Sequence, residues 1–262
     1  MLHYKTYEHS TSNEWVTFVH GAGGSSSIWY KQVKEFQKSF NVLLIDLRGH
    51  GNSKGMGLKN MSKYTFRSVS NDVIEVIDHL KIKSSHFVGI SLGTIIIREL
   101  AEIRPKIISS MIMGGAIMKM NFRSQLLMRA GFFLRSLVPY ILLYKLFAFV
   151  IMPRKKHKES RNLFIREAKK LYQQEFIKWF GLTTTINPIL TFFRSKDPLI
   201  PTLYVMGDED YMFLPPVKMT VSKHDSANLA IIEDCGHVVN IDKPAIFNTI
   251  VIDWIRKNSA VA

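Results

Sequence analysis

Short runs of apolar and β-branched residues recur along this chain, separated by stretches with helical spacing. The runs stand at Trp15–His20, Asn41–Asp46, His86–Ile90, Ile107–Met113, Thr202–Met206 and Leu229–Glu233. Each is short for a helix and rich in side chains that pack well on a pleated surface, so each predicts a strand. A further edge strand is expected within His3–Glu8. Val69, Val73, Val76, Ile77 and Leu80 fall three and four residues apart, which places them on one helical face. A last helix is expected over Pro244–Lys257, apolar at Ile246, Ile250 and Trp254. Strands that alternate with helices predict an α/β fold with a mainly parallel sheet covered on both faces.

The alternation stops between about Ala116 and Lys196. That span reads as helix alone, with Phe122–Leu137, Pro139–Met152 and Glu159–Phe180 as the candidates. An all-helical insert between two strands is expected to cap the carboxyl ends of the sheet, where open α/β sheets place their sites. The organisation expected is a core made of residues 1–115 and 197–262, with a helical cap over 116–196.

Charge changes this picture, because it is concentrated. The net charge is +14 over 262 residues. Between Lys119 and Lys178 stand 14 Lys/Arg against 3 Glu, a balance of +11, whereas the rest of the chain holds 21 basic and 18 acidic groups, a balance of +3. The same segment contains the most apolar stretch, Gly131 to Pro153. Arg135, Lys145 and Pro139 interrupt it before it reaches the roughly 18 residues a membrane span requires. Two readings of the segment follow. Its apolar residues (Phe132, Phe133, Leu134, Leu142, Leu143, Phe147, Phe149) pack cap onto core and Arg154–Lys158 is a solvated turn, or the two together face anionic lipid or an acidic acyl carrier. No nucleic-acid motif accompanies the charge, so no nucleic-acid partner is expected. A single cysteine, Cys235, excludes an internal disulfide, and the first ten residues lack an apolar export signal. A cytoplasmic setting is expected.

The candidate chemistry centres on Gly89-Ile90-Ser91-Leu92-Gly93, between the strand ending at Ile90 and the apolar helix from Thr94 to Ala101. A serine at such a corner can be held in a strained turn with its hydroxyl exposed, provided glycines flank it. A serine nucleophile needs a base, usually a histidine oriented by a carboxylate. Of nine histidines, His237 stands after the last strand on a loop opened by Gly236. His20 is read as shaping a turn, His50 as part of a glycine-rich loop, His79 and His224 as helix or surface residues, and His157 as part of the basic run. The carboxylate is expected in Gly207-Asp208-Glu209-Asp210, where chemistry alone leaves three acids open. The attacked oxygen needs backbone N–H donors. Leu92, at a helix start, offers one, and the loop His20-Gly21-Ala22-Gly23-Gly24 offers the other.

Taken together and in this order, these motifs resemble the α/β-hydrolase superfamily over nearly the whole chain. His20–Ser25 resembles its oxyanion loop, with Ala22 as the second donor. Asp46–Ser53 resembles its structural D-x-R-G-x-G-x-S loop, and Gly207–Asp210 its G-x-x-D acid loop, which selects Asp210. Thr94 departs from the pattern, standing where many members have a second glycine, and this puts close packing of the helix in question. The resemblance implies the α/β-hydrolase fold with an inserted helical cap and a catalytic Ser91, Asp210 and His237. Ala22 and Leu92 form the oxyanion hole, and no metal or cofactor is implied. The activity implied is hydrolysis of a small ester or acyl substrate through an acyl-enzyme. The alternatives are C–C bond hydrolysis, haloperoxidase, lyase or acyl-transfer chemistry on the same triad, or a signal-binding role without turnover. The serine argues against the dehalogenase and epoxide hydrolase branches, which use aspartate.

Overall fold

A computed structural model of the chain describes residues 1–56, 64–120, 125–126, 131 and 138–259. Seven strands form one sheet: β1 (Tyr4–Tyr7), β2 (Trp15–Val19), β3 (Asn41–Ile45), β4 (Ser85–Ile90), β5 (Ile108–Gly114), β6 (Thr202–Gly207) and β7 (Ala227–Ile232). Their order is β1-β3-β2-β4-β5-β6-β7, antiparallel only where β1 meets β3. All seven expected strands are present, with bounds shifted by one or two residues.

Strands β3, β4 and β6 are buried along their whole length, because helices cover both faces. On one face lie α2 (Phe66–His79) and α3 (Leu92–Ile103), whose Val69, Val73, Val76, Ile96 and Leu100 pack on Leu43 and Phe87. On the other lie α1 (Tyr30–Phe36) and the final helix (Pro244–Ser259), with Phe36, Phe247, Val251 and Ile255 against Phe18 and Val88. Burying each such side chain contributes about 1.5–3 kcal/mol, so the two apolar faces stabilise the sheet they enclose.

Between β5 and β6 the described elements are helical: α4 (Tyr140–Ile151), α5 (Lys158–Ala168), α6 (Gln173–Gly181) and α7 (Ile186–Ser195). After β6 come α8 (Leu214–Val221), α9 (Val239–Asp242) and the final helix, α10. The single helix expected over Glu159–Phe180 is two. The Tyr140 hydroxyl donates to the carbonyl of Leu171 at 2.8 Å, and Leu171 turns into a small core with Leu143, Tyr144, Phe147, Phe176 and Phe180. That tertiary contact ends α5, and local spacing does not announce it. The helix expected over Phe122–Leu137, with Phe132, Phe133 and Leu134, lies largely outside the described residues. Among those described, no helix is long and apolar enough to cross a membrane.

Candidate functional site

Parallel pairing brings the carboxyl ends of β2, β4, β6 and β7 to one edge of the sheet, through the register pairs Val19 with Gly89, Ile90 with Gly114 and Gly207 with Ile232. Ser91 follows β4 directly. Its φ of 53° is unusual for a residue with a side chain, a conformation that costs about 1–3 kcal/mol unless its surroundings impose it. They do: the Ser91 N–H donates to Gly114 O at 2.9 Å, and Ser91 caps α3. A Cβ on Gly93 would overlap the Val19 carbonyl, so helix and strand come this close only with glycine there. Thr94 does not loosen the corner. It is buried, and its hydroxyl donates to Ser91 O at 2.6 Å.

His237, buried on the loop after β7, stands with Nε2 2.9 Å from Ser91 Oγ. Its Nδ1 is 2.7 Å from Asp210 Oδ2, so Nδ1–H donates to the carboxylate and Nε2 is left to accept from the serine. The other Asp210 oxygen accepts from the Phe213 N–H at 3.3 Å. Asp208 does not touch the histidine ring; its Oδ1 accepts from the Cys235 N–H at 3.1 Å and so shapes the loop. Ser91, His237 and Asp210, 27 to 146 residues apart in sequence, thus form one chain of hydrogen bonds. The amides of Ala22 and Leu92 have no hydrogen-bond partner among the described residues, and both residues line the cavity above Ser91.

The loop carrying Ala22 is held by two histidines. His20 donates from Nδ1 to Gly21 O at 2.8 Å and accepts the Leu47 N–H at Nε2 at 3.0 Å. His50 donates from Nδ1 to Arg48 O and accepts the Gly23 N–H at Nε2, both at 3.0 Å. Burial, and then the neighbouring His20, push His50 down to about 3, and burial lowers His20 as well, so both stay neutral. Arg48 is paired with Asp72, and Asp46 accepts the amides of Ser26 and Asn52, so the Asp46–Ser53 loop is structural scaffolding. Sequence reading missed the role of His50, because nothing local signals a contact with Gly23.

His157 and His224 correct their sequence-based readings. His224 is buried, with Nε2 3.2 Å from Arg194 O. His157 is also buried, with Nε2 2.8 Å from Glu209 Oε2 beside the acid loop. Arg154 and Lys156 bond Glu209 as well, and Lys156 reaches Asp234 at 2.6 Å, so the basic run turns partly inward. The three acids between Lys119 and Lys178 reach outside that segment in the same way. Glu159 takes Lys31 at 2.7 Å, Glu167 takes the Ser25 hydroxyl at 2.8 Å and Glu175 takes the Tyr64 hydroxyl.

A cavity of about 200 Å³ opens above Ser91. Its walls are apolar and largely aromatic, with Tyr144, Phe147, Phe176, Trp179 and Phe180 on one side and Ile90, Met212, Phe213 and Val238 on the other. Among the described lining residues there is no Lys or Arg, and Glu167 is the acid. Burial raises that carboxyl, but bonds from Lys170 and Ser25 outweigh it and hold Glu167 below its usual range, so it is an anion at neutral pH. Cys235 is fully buried and burial pushes its thiol up, which leaves it unreactive. No group of three or more His, Cys, Asp and Glu with the geometry of a metal site occurs among the described residues.

Known proteins share this fold. The structure of MenH from S. aureus superposes with a TM-score of 0.83 at 19% identity, covering 99% of this chain and all of that one. The enol-lactonase from Burkholderia xenovorans gives 0.80 at 20% identity, covering 97% and 96%. In sequence, the RutD protein of Agrobacterium fabrum, a carbamate hydrolase by name, is 22% identical over 90% of both chains. The sequence model of the alpha/beta hydrolase fold family matches residues 14–244, and the chain belongs to that family.

Proposed function

We propose that the protein hydrolyses neutral, apolar carboxylic esters through an acyl-enzyme on Ser91. His237 Nε2 takes the proton from Ser91 Oγ as the serine attacks the carbonyl carbon. The amides of Ala22 and Leu92 hold the oxyanion, worth about 10²–10³ in kcat per donor in serine hydrolases. The imidazolium, steadied by Asp210, returns its proton to the departing alcohol. Water attacks the acyl-enzyme by the same route and the acid leaves. Residues 116–196 act as a cap over a core of 1–115 and 197–262, and exclude water from these steps. The one buried cysteine favours a reducing, cytoplasmic setting.

The observation that carries this reading is the apolar cavity ending on a serine already hydrogen-bonded to its base. The cavity also argues for a neutral substrate. A Bacillus subtilis relative, 23% identical over 95% of this chain, is named as a synthase of a carboxylate. Here no cation among the described lining residues would pair with such a group, and Glu167 would repel it.

A panel of p-nitrophenyl esters from acetate to decanoate tests the proposal. Each added methylene buries about 0.8 kcal/mol of apolar surface, so kcat/KM is expected to rise about fourfold per carbon until the cavity is full. Ser91→Ala should abolish turnover with the fold intact. A variant keeping more than about a tenth of kcat, or a panel on which acetate is best, would refute it.

A further inference from the structure

Apart from Lys145, helix α4 is apolar all round, yet only part of it is covered. At 100° per residue, Leu143, Tyr144, Phe147, Ala148 and Ile151 share the inner face; most of them are buried, and Tyr144, Phe147 and Ile151 line the cavity. Leu142, Lys145, Leu146 and Phe149 share the opposite face. There Leu142, Leu146 and Phe149 are 49%, 49% and 54% exposed, large apolar side chains in a row along the stripe. A helix without a polar face is normally enclosed, so this stripe needs a cover.

What surrounds it is basic. Lys145 projects from within the stripe, and the turn that follows α4 carries Arg154, Lys155, Lys156 and Lys158, all exposed. Arg161, whose guanidinium lies 4.4 Å from the Phe149 ring centre, ties that turn to the stripe by donating to Met152 O and Arg154 O. The acids Glu209 and Asp234 occupy Arg154 and Lys156, whereas Lys145, Lys155 and Lys158 make no ion pair among the described residues. The segment from Lys119 to Lys178 carries the balance of +11 within a chain of +14.

We infer that the outer face of α4 docks on an anionic bilayer surface. Leu142, Leu146 and Phe149 enter the interface, and Lys145, Lys155 and Lys158 meet lipid phosphates. At 12 residues α4 is too short to span a bilayer and would lie in its plane. The inference deepens the ester hydrolase reading. Apolar esters concentrate in bilayers, and the helix that would touch the lipid is also a wall of the cavity.

Flotation of the full chain with vesicles of phosphatidylcholine, with and without 30 mol% phosphatidylglycerol, tests this. Binding is expected to the anionic vesicles alone and to weaken with salt. Each surface lysine contributes about fivefold, so Lys145→Glu with Lys155→Glu should lower binding at least twenty-fivefold. Leu142→Ser with Leu146→Ser should abolish it while hydrolysis of a soluble short ester is retained, which shows the variant folded. Ser91→Ala should float like the wild type, so loss of the hydrolase reading and loss of this one are separable. Absence of flotation, or equal flotation on neutral vesicles, would overturn the proposal. So would a dimer that the leucine pair dissolves, or salt-sensitive capture by an acidic carrier protein in place of vesicles, because either assigns the stripe to another occupant.

Discussion

Replacing Asp210 by asparagine separates the roles of the two aspartates of the acid loop, Asp208 and Asp210. The side chain is isosteric and 1% exposed, so water cannot repair what the change removes. In one orientation the amide NH2 faces His237 Nδ1, now 2.7 Å from a donor instead of an acceptor. The ring must then carry its proton on Nε2, which can no longer accept from Ser91. In the flipped orientation the amide oxygen takes the Nδ1–H, but the NH2 meets the Phe213 N–H at 3.3 Å, leaving a buried donor unmade at about 1–3 kcal/mol. Either way the imidazolium loses its carboxylate. A loss of about 10⁴ in kcat is expected, or about 5.5 kcal/mol of transition-state stabilisation. Asp208→Asn keeps an oxygen to accept the Cys235 N–H, so its kcat should stay within about threefold. The assay is kcat on p-nitrophenyl butyrate for both variants, with thermal unfolding to correct for folded protein. If Asp210→Asn stays within tenfold of wild type while Asp208→Asn collapses, the hydrogen bond from His237 to Asp210 does not carry the chemistry.

Gly93→Ala should prevent folding or cost several kcal/mol, since its Cβ overlaps the Val19 carbonyl; a soluble, active variant by circular dichroism and esterase assay would contradict the close approach. Cys235→Ala should keep kcat within about twofold and lose about 1 kcal/mol in urea unfolding, because the thiol packs in the core behind the loop; inactivation as complete as that of Ser91→Ala would reverse this. Stability should fall on acidification. His20 and His50 are depressed in the fold, so below about pH 6.5 the unfolded chain binds more protons, at about 1.4 kcal/mol per pH unit for each histidine, continuing toward about 3 for His50. Urea midpoints that stay flat from pH 7 to 4.5, or that rise, would refute that sign.

The sequence by itself determined the strands, their alternation with helices and the residues of the proposed chemistry, because these depend on local patterning. Apolar runs such as Asn41–Ile45 and Thr202–Gly207 read as buried strands since their burial is continuous. Ser91 was legible because Gly89 and Gly93 mark a corner that only glycine permits. Contacts between distant segments were not legible in this way. His157 and Glu209 stand 52 positions apart, His50 and Gly23 27 apart, and Tyr140 ends α5 from 31 positions away. No pattern along the chain encodes those pairings; they arise where a parallel sheet gathers its loops at one edge and the helical segment folds back over them. The same holds for charge and for the cavity. A run of five basic and histidine residues reads as one solvated turn, but folding sends Arg154, Lys156 and His157 to buried or paired positions and leaves Lys155 and Lys158 outward. The apolar lining of the cavity is assembled from the ends of β-strands and seven of the described helices at once, so only the tertiary structure could decide it.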